Sequence, residues 1–205
     1  MELIVNDKEK TTNHHAPARR FLFLTSGGRQ GGNTEQLARI AASSLAKHFV
    51  QDWQTLDIAE LAPFHDLRHS GDGVYAAPDA RLAELLAATL AATDLVLVTP
   101  LYWYNMSSAA KLYFEHWSAW MRVPGLDFLA RMQGKRFYVI STAADEDKAM
   151  FDALIVASRR TAEYAGMEWG GSLLGYANRP GDILQDQATL RLAQTFLQAE
   201  QSQAA

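Results

Sequence analysis

The chain has 205 residues, with 23 acidic against 19 basic side chains, a formal net charge of -4 and 48 % hydrophobic residues. Such a chain can bury one domain-sized core, and its acidic balance, relieved only by pairs such as Arg19-Arg20 and Arg159-Arg160, argues against a nucleic-acid binder. It has no cysteine, which excludes disulfides, a thiolate nucleophile, cysteine-bound zinc and iron-sulfur clusters.

Residues 1 to 18 are polar, carry His14-His15 and Pro17, and read as a flexible N-terminal extension, with no apolar core of the kind a signal peptide needs. No later apolar run reaches the ~18 residues of a membrane span, so a cytoplasmic protein without a transmembrane segment is expected. Phe21 to Leu24 is an unbroken apolar strand, and helical spacing from Leu37 through His48 predicts a helix over about 34–49. Between them, Ser26-Gly27-Gly28-Arg29-Gln30-Gly31-Gly32-Asn33-Thr34 joins small, turning residues to short polar groups at a helix start. This is the chemistry of a phosphate site, although it matches neither common glycine fingerprint. Asn33 with Gln36 also reads as a capping box.

Gln51 to Ile58 alternates loosely, as an edge strand would. Residues 59–77 form a long connection holding Pro63, His65 and His69, which reads either as a substrate-facing lid or as an ordinary loop or dimer contact. Pro78 stands at the first turn of a second helix carrying Leu82, Leu85, Leu86 and Leu90, and Leu95 to Val98 is another fully apolar strand.

Thr99 to Met106, T-P-L-Y-W-Y-N-M, sets three aromatic rings at the carboxyl end of that strand, where open α/β sheets bind planar ligands. Ser107 and Ser108 can cap the next helix, whose Tyr113, Phe114, Trp117 and Trp120 read first as core and otherwise as an interface. Residues 121–134 are a loop with at most a short helix; Phe137 to Ile140 is the fourth strand, interrupted by Ser141 and Thr142. Asp145 to Asp147 precede a helix marked by Leu154, Ala157 and Thr161, and Met167 to Leu174 is a weak fifth strand. Asp182 with Gln185 offers a capping box for a last helix, and 199–205 read as a frayed tail. Five strands alternating with five helices, the strongest strands central, predict an α/β three-layer sandwich over 19–198 with a parallel sheet in the order 2-1-3-4-5. The first and third strands then flank the switch point.

With these segments in order, most of residues 19 to 198 resembles the flavodoxin-like NAD(P)H-dependent FMN reductase and quinone oxidoreductase superfamily. The resemblance is carried by T-S-G-G-R-Q-G-G-N-T-E-Q-L-A, T-P-L-Y-W-Y-N-M-S-S-A-A-K, the S-T-A-A after the fourth strand and G-M-E-W-G-G-S-L-L-G-Y-A-N-R-P-G-D. It implies that Ser26, Arg29, Asn33 and Thr34, with Gln36, hold the phosphate of FMN. Pro100, Leu101, Tyr102, Trp103, Tyr104, Asn105 and Met106 would then lie along the ribityl chain and ring, with Ser141, Thr142 and Ala143 approaching from the third loop. Relatives often carry S-P-R where this chain has Ser26-Gly27-Gly28-Arg29, one residue longer, which leaves the contact made by Arg29 open.

The implied reaction is hydride transfer from NADPH or NADH to flavin, followed by reduction of a quinone, nitroaromatic, azo compound or free flavin as the small-molecule acceptor. Backbone N–H groups near Asn105 and Thr142 would steady the reduced ring, and Tyr102 would shape the substrate face. The resemblance also implies a homodimer. Two other readings stand beside it. One is a non-catalytic flavin carrier or regulatory subunit. The other is a hydrolase using Ser26 or Ser141 with His65, His69 or His116, without the G-x-S-x-G elbow such enzymes use.

Overall fold

The computed structural model describes residues 18–198; the polar extension, His14-His15 and the tail after 198 lie outside the described residues. Five strands, β1 (Arg20–Thr25), β2 (Val50–Thr55), β3 (Asp94–Val98), β4 (Arg136–Ala143) and β5 (Glu168–Tyr176), pair in parallel in the order β2-β1-β3-β4-β5. Six α-helices accompany them: α1 (Asn33–Ser43), α2 (Ala80–Ala91), α3 (Ser108–Trp120), the five-residue α4 (Phe128–Met132), α5 (Asp152–Tyr164) and α6 (Gln187–Phe196).

The unbroken apolar strands are buried on both faces, and the period of two divides each between two cores. Leu22, Leu24, Leu95, Leu97, Phe137 and Val139 pack with α2, α3, α4 and α5. Phe21, Phe23, Val96, Val98, Tyr138 and Ile140 pack with α1 and α6. The aromatic side of α3 belongs to the first core: Tyr113, Trp117 and Trp120 are buried, Tyr113 meets both tryptophans edge to face, and Trp117 and Trp120 pack on Phe128, edge to face and tilted respectively. The Tyr113 hydroxyl bonds Thr89 Oγ1 at 2.6 Å, and burial holds its pKa far above the usual tyrosine value. Tyr113, Trp117 and Trp120 therefore offer no surface to a partner, while Phe114, the fourth ring of that face, is half-buried against the same core.

Several local readings gave way to tertiary contacts. α1 stops at Ser43 rather than near 49, because residues 44–49 turn to deliver the chain to β2. The edge strand β2 ends at Thr55. β4 runs on through Ser141 and Thr142, since both still pair with β5, opposite Leu174 and Gly175. Pro78 lies just outside α2, whose cap is Asp79, accepting the Leu82 N–H at 2.8 Å. The capping box at Asp182 and Gln185 does not form. Those residues make a 3-10 turn, and Asp186 caps α6 by accepting the Thr189 N–H at 3.0 Å.

The amino ends of the strands are tied by a polar network. Arg19 pairs in bidentate fashion with the buried Asp94, donates to Tyr138 Oη at 3.0 Å and to the Leu197 carbonyl at 3.4 Å, and lies over the Phe21 ring. Gly170 lets the Tyr138 ring lie flat on β5, since a Cβ there would fall 2.4 Å from the ring.

The Asp186 carboxylate adds a pH dependence. Partial burial pushes its pKa up, but the Thr189 and Tyr176 N–H groups and the Lys148 charge outweigh burial and hold it below the usual aspartate value. A depressed folded-state pKa contributes stability that is complete above the unfolded value of about 3.9 and is lost as pH falls through the folded one. Comparing urea midpoints at neutral and acid pH should therefore show a smaller acid loss in Asp186→Asn than in the parent chain. Equal losses would mean the cap carries no such linkage.

Candidate functional site

A cavity of about 650 Å³ runs across the carboxyl ends of the strands, where an open parallel sheet reverses its winding between β1 and β3. Its wall is built from the residues that follow each strand: Ser26 to Gln30 after β1, Leu56 to Ile58 after β2, Pro100 to Tyr102 after β3, Ala144 after β4, and Ala177 and Asn178 after β5.

The first loop leads into α1 without a side-chain cap. Gly32 takes the N-cap position, and Gln36 Nε2 donates to the Gly31 carbonyl at 2.7 Å. The expected Asn33–Gln36 capping box is absent because both side chains are engaged elsewhere. The Asn33 amide spans to another loop: its Nδ2 donates to the Arg179 carbonyl at 2.8 Å, and its Oδ1 accepts the Gly181 N–H at 2.9 Å. The N–H groups of Asn33, Thr34 and Glu35 open the first helical turn, where no helical carbonyl precedes them, and the described residues provide no other acceptor. All three residues line the cavity. An anion held there would accept from these donors in the favourable field of the helix start.

Thr34 and Thr142 bring α1 and β4 together, their hydroxyls 2.5 Å apart and both residues buried. Ser26 is fixed to β3, its N–H and Oγ both donating to the Val98 carbonyl, at 2.9 and 3.3 Å. The second loop leaves β3 with the Leu101 N–H donating to the Thr142 carbonyl at 3.0 Å. It then doubles back in a tight turn in which Tyr102 and Asn105 exchange both backbone bonds, at 2.9 and 3.0 Å. Trp103 and Tyr104 at its centre have φ of 47° and 63°. Two-residue hairpin turns demand that geometry and usually meet it with glycine or asparagine. Two aromatic residues held there store strain of roughly 1–3 kcal/mol each.

Of the residues expected to form the site, Ser26, Arg29, Asn33, Thr34, Pro100, Leu101, Tyr102, Thr142 and Ala143 line the cavity. Six do not. Gln36 is turned back onto the loop, and Ser141 is buried on the opposite core face with Oγ unpartnered. Met106 packs against the core, while Trp103, 93 % exposed, and Tyr104 point to solvent. The Asn105 N–H is spent in the turn and its Oδ1 accepts the Met106 N–H, so that amide is not free to face a reduced ring.

The wall formed by Arg39 and by Thr55 to Ile58 was not foreseen, for it carries no motif; only the sheet order places it beside β1. Residues 59–77 contribute nothing to the cavity wall. Nor does any hydrogen bond among the described residues join Ser26 or Ser141 to a histidine: His116 Nε2 sits 2.8 Å from the Ala62 carbonyl, an arrangement that fits no serine hydrolase. Among the described residues no group of three or more His, Cys, Asp or Glu side chains is placed to hold a metal ion, and no helix is long and apolar enough to cross a membrane.

Comparison with known proteins agrees with this architecture. A family model described as having a flavodoxin-like fold matches residues 19–199. The protein YwqN of Bacillus subtilis (strain 168), provisionally described as an NAD(P)H-dependent FMN-containing oxidoreductase, is 34 % identical over 180 residues, covering 87 % of this chain and 96 % of its own. Among solved structures, a Trp repressor binding protein from Bacillus subtilis is 30 % identical with a TM-score of 0.69, over 90 % of this chain and 99 % of that one. An NAD(P)H:quinone oxidoreductase from Methanothermobacter marburgensis shares the fold at 13 % identity and a TM-score of 0.67, over 92 % of this chain and 99 % of that one.

Replacing Asn33 by Ala removes both bonds to the 179–181 backbone and leaves a donor and an acceptor without partners. The expected cost is about 1–3 kcal/mol of stability, measured by urea unfolding, together with faster amide exchange over 177–182. Unchanged exchange in that loop would show that other contacts hold it.

Proposed function

The chain belongs to the flavodoxin-like family, and on that footing we propose that it is an FMN-containing oxidoreductase that draws on NADPH or NADH to reduce a small acceptor. Quinones, nitroaromatics, azo compounds and free flavin are the acceptor classes. The observation that carries this reading is the pairing of two unlike surfaces in one cavity: unpaired amides at the start of α1, and an uncharged wall of Pro100, Leu101, Tyr102, Ala143 and Ala144. The first suits a phosphate and the second a flat, largely apolar ring.

The backbone there also leaves room for such a ligand. The first and second loops run side by side there: a Cβ at Gly27 would lie 3.8 Å from Pro100 Cδ and one at Gly28 3.9 Å from the Tyr102 hydroxyl, both ordinary contact distances. Gly31, with φ +66°, supplies the turn that aims the following amides. When bound, flavin supplies the hydride-accepting and electron-donating chemistry. The protein's part is to bind, orient and shield. Asn33, Thr34 and Glu35 would offer their N–H groups to the phosphate, with the Ser26 and Thr34 side chains beside it, and Pro100 to Tyr102 with Thr142 to Ala144 would wall the ring. Tyr102, half exposed beside the cavity, bounds the open face on which donor and acceptor would take turns. A side chain serving as proton donor is not required by this scheme, and the described residues that line the cavity include no histidine.

Anaerobic mixing of FMN-loaded protein with each nicotinamide, followed by a quinone, a nitroaromatic and free FMN in separate samples, should bleach and then restore the visible flavin absorbance. Reduction of the bound flavin no faster than of free FMN would leave a carrier or regulatory role in its place. We also propose a homodimer, now from the exposed Trp103 and Tyr104 at the cavity's edge rather than from α3. Sedimentation should give about twice the chain mass of 22.7 kDa, whereas a monomer with full turnover would remove the partner from the site.

A further inference from the structure

The cavity wall is electrically uneven. Its four charged side chains, Arg29, Glu35, Arg39 and Asp57, come from the first loop, α1 and the end of β2, whereas the part built by β3, β4 and β5 is uncharged. The β2 side is therefore a second lobe with its own chemistry.

Arg39 is its most ordered member. Its guanidinium lies 3.8 Å from the centre of the Trp53 ring, and Trp53 is itself stacked on Phe23 at 4.1 Å with the planes 6° apart. Glu35 Oε1 accepts from Nε at 3.3 Å and from Nη2 at 3.0 Å, which fixes the plane of the group. Nη1 has no partner among the described residues. The two carboxylates are already engaged: Glu35 Oε2 accepts the Gly31 N–H at 2.8 Å, and Asp57 Oδ1 the Ala59 N–H at 2.9 Å. Arg29 makes no hydrogen bond or ion pair through its side chain among the described residues. The four charges of the lobe balance in sum, but the N–H donors left without a partner among the described residues are cationic: Arg39 Nη1, held on its aromatic platform, and the Arg29 guanidinium, on a wall that also carries the apolar, half-exposed Ile58. A preset guanidinium is the natural partner of a phosphate monoester, and an apolar ledge suits the base next to it.

We infer that Arg39, stacked on Trp53 and held by Glu35, is a specificity-determining residue that binds the 2'-phosphate of the nicotinamide donor, so that the donor is NADPH. The inference rests on the oxidoreductase reading for its biological sense, but its site can be tested apart from turnover. Adenosine 2',5'-bisphosphate and 5'-AMP carry the two alternative recognition elements without the nicotinamide. Calorimetric titration of FMN-loaded protein should show the bisphosphate bound roughly tenfold or more tightly, the size of one charge-assisted hydrogen bond. Arg39→Met keeps an apolar cover on Trp53 but removes the charge, and should abolish that preference, while Arg39→Lys should restore part of it. In turnover the NADPH-to-NADH ratio of kcat/KM should fall by a similar factor in Arg39→Met.

Equal affinity for the two adenosine phosphates, a preference for NADH in the parent chain, or an equal fall for both donors in Arg39→Met would each overturn the inference. Selective binding of the bisphosphate by a protein whose flavin neither nicotinamide reduces would keep the phosphate site and remove the reaction proposed above it.

Discussion

A helix that begins without a side-chain acceptor leaves its first amides unsatisfied, and the organisation of this protein's cavity follows from that constraint. Gly32 at the N-cap position has no side chain to accept the first amides, Gln36 bonds backward, and Asn33 is committed to another loop. The donors of Asn33, Thr34 and Glu35 must then be met by water or by a ligand. Everything else at that end of the sheet is arranged around them. β3 and β4 bring uncharged walls to one side, and the first loop, α1 and the end of β2 bring the charged side chains to the other.

The two ends of the sheet divide the labour. At the amino ends, Arg19, Asp94 and Tyr138 satisfy one another in a closed network, with Leu197 drawing in the end of α6. No comparable closure exists at the carboxyl ends, where the chain accepts strain at Trp103 and Tyr104 and unpaired amides at α1. A domain can tolerate that imbalance because its cores are complete elsewhere, with Leu22, Leu95 and Phe137 facing one helical layer and Phe21, Val96 and Tyr138 the other.

The same division explains what could be read from the sequence. Phe21 to Leu24 and Leu95 to Val98 declare buried parallel strands by composition alone, and the strand order followed from them. The glycine loop was legible because small residues at a helix start have few other uses. Side-chain bonding was not: Asn33 and Gln36 have the spacing of a capping box, yet a contact to Arg179, 146 residues away, captures the first of them. The aromatic face of α3 could not be told from an interface until Phe128 was seen to cover it. Arg39 drew no notice in the sequence, since it carries no motif and its meaning depends on the side-chain contact with Trp53.

The Asn33 tether also bears on how the protein is made. It joins the first crossover to the segment that follows β5, and Arg19 likewise reaches Leu197 across 178 residues. During synthesis the glycine loop emerges early, yet the wall opposite it belongs to a segment translated near the end. β1, α1 and β2 can associate while the rest of the chain is still being added, but the loop must wait for β5 and α6 before its geometry is set. Completion of the cavity is thereby deferred to the completion of the fold, and an incomplete nascent chain has no finished pocket.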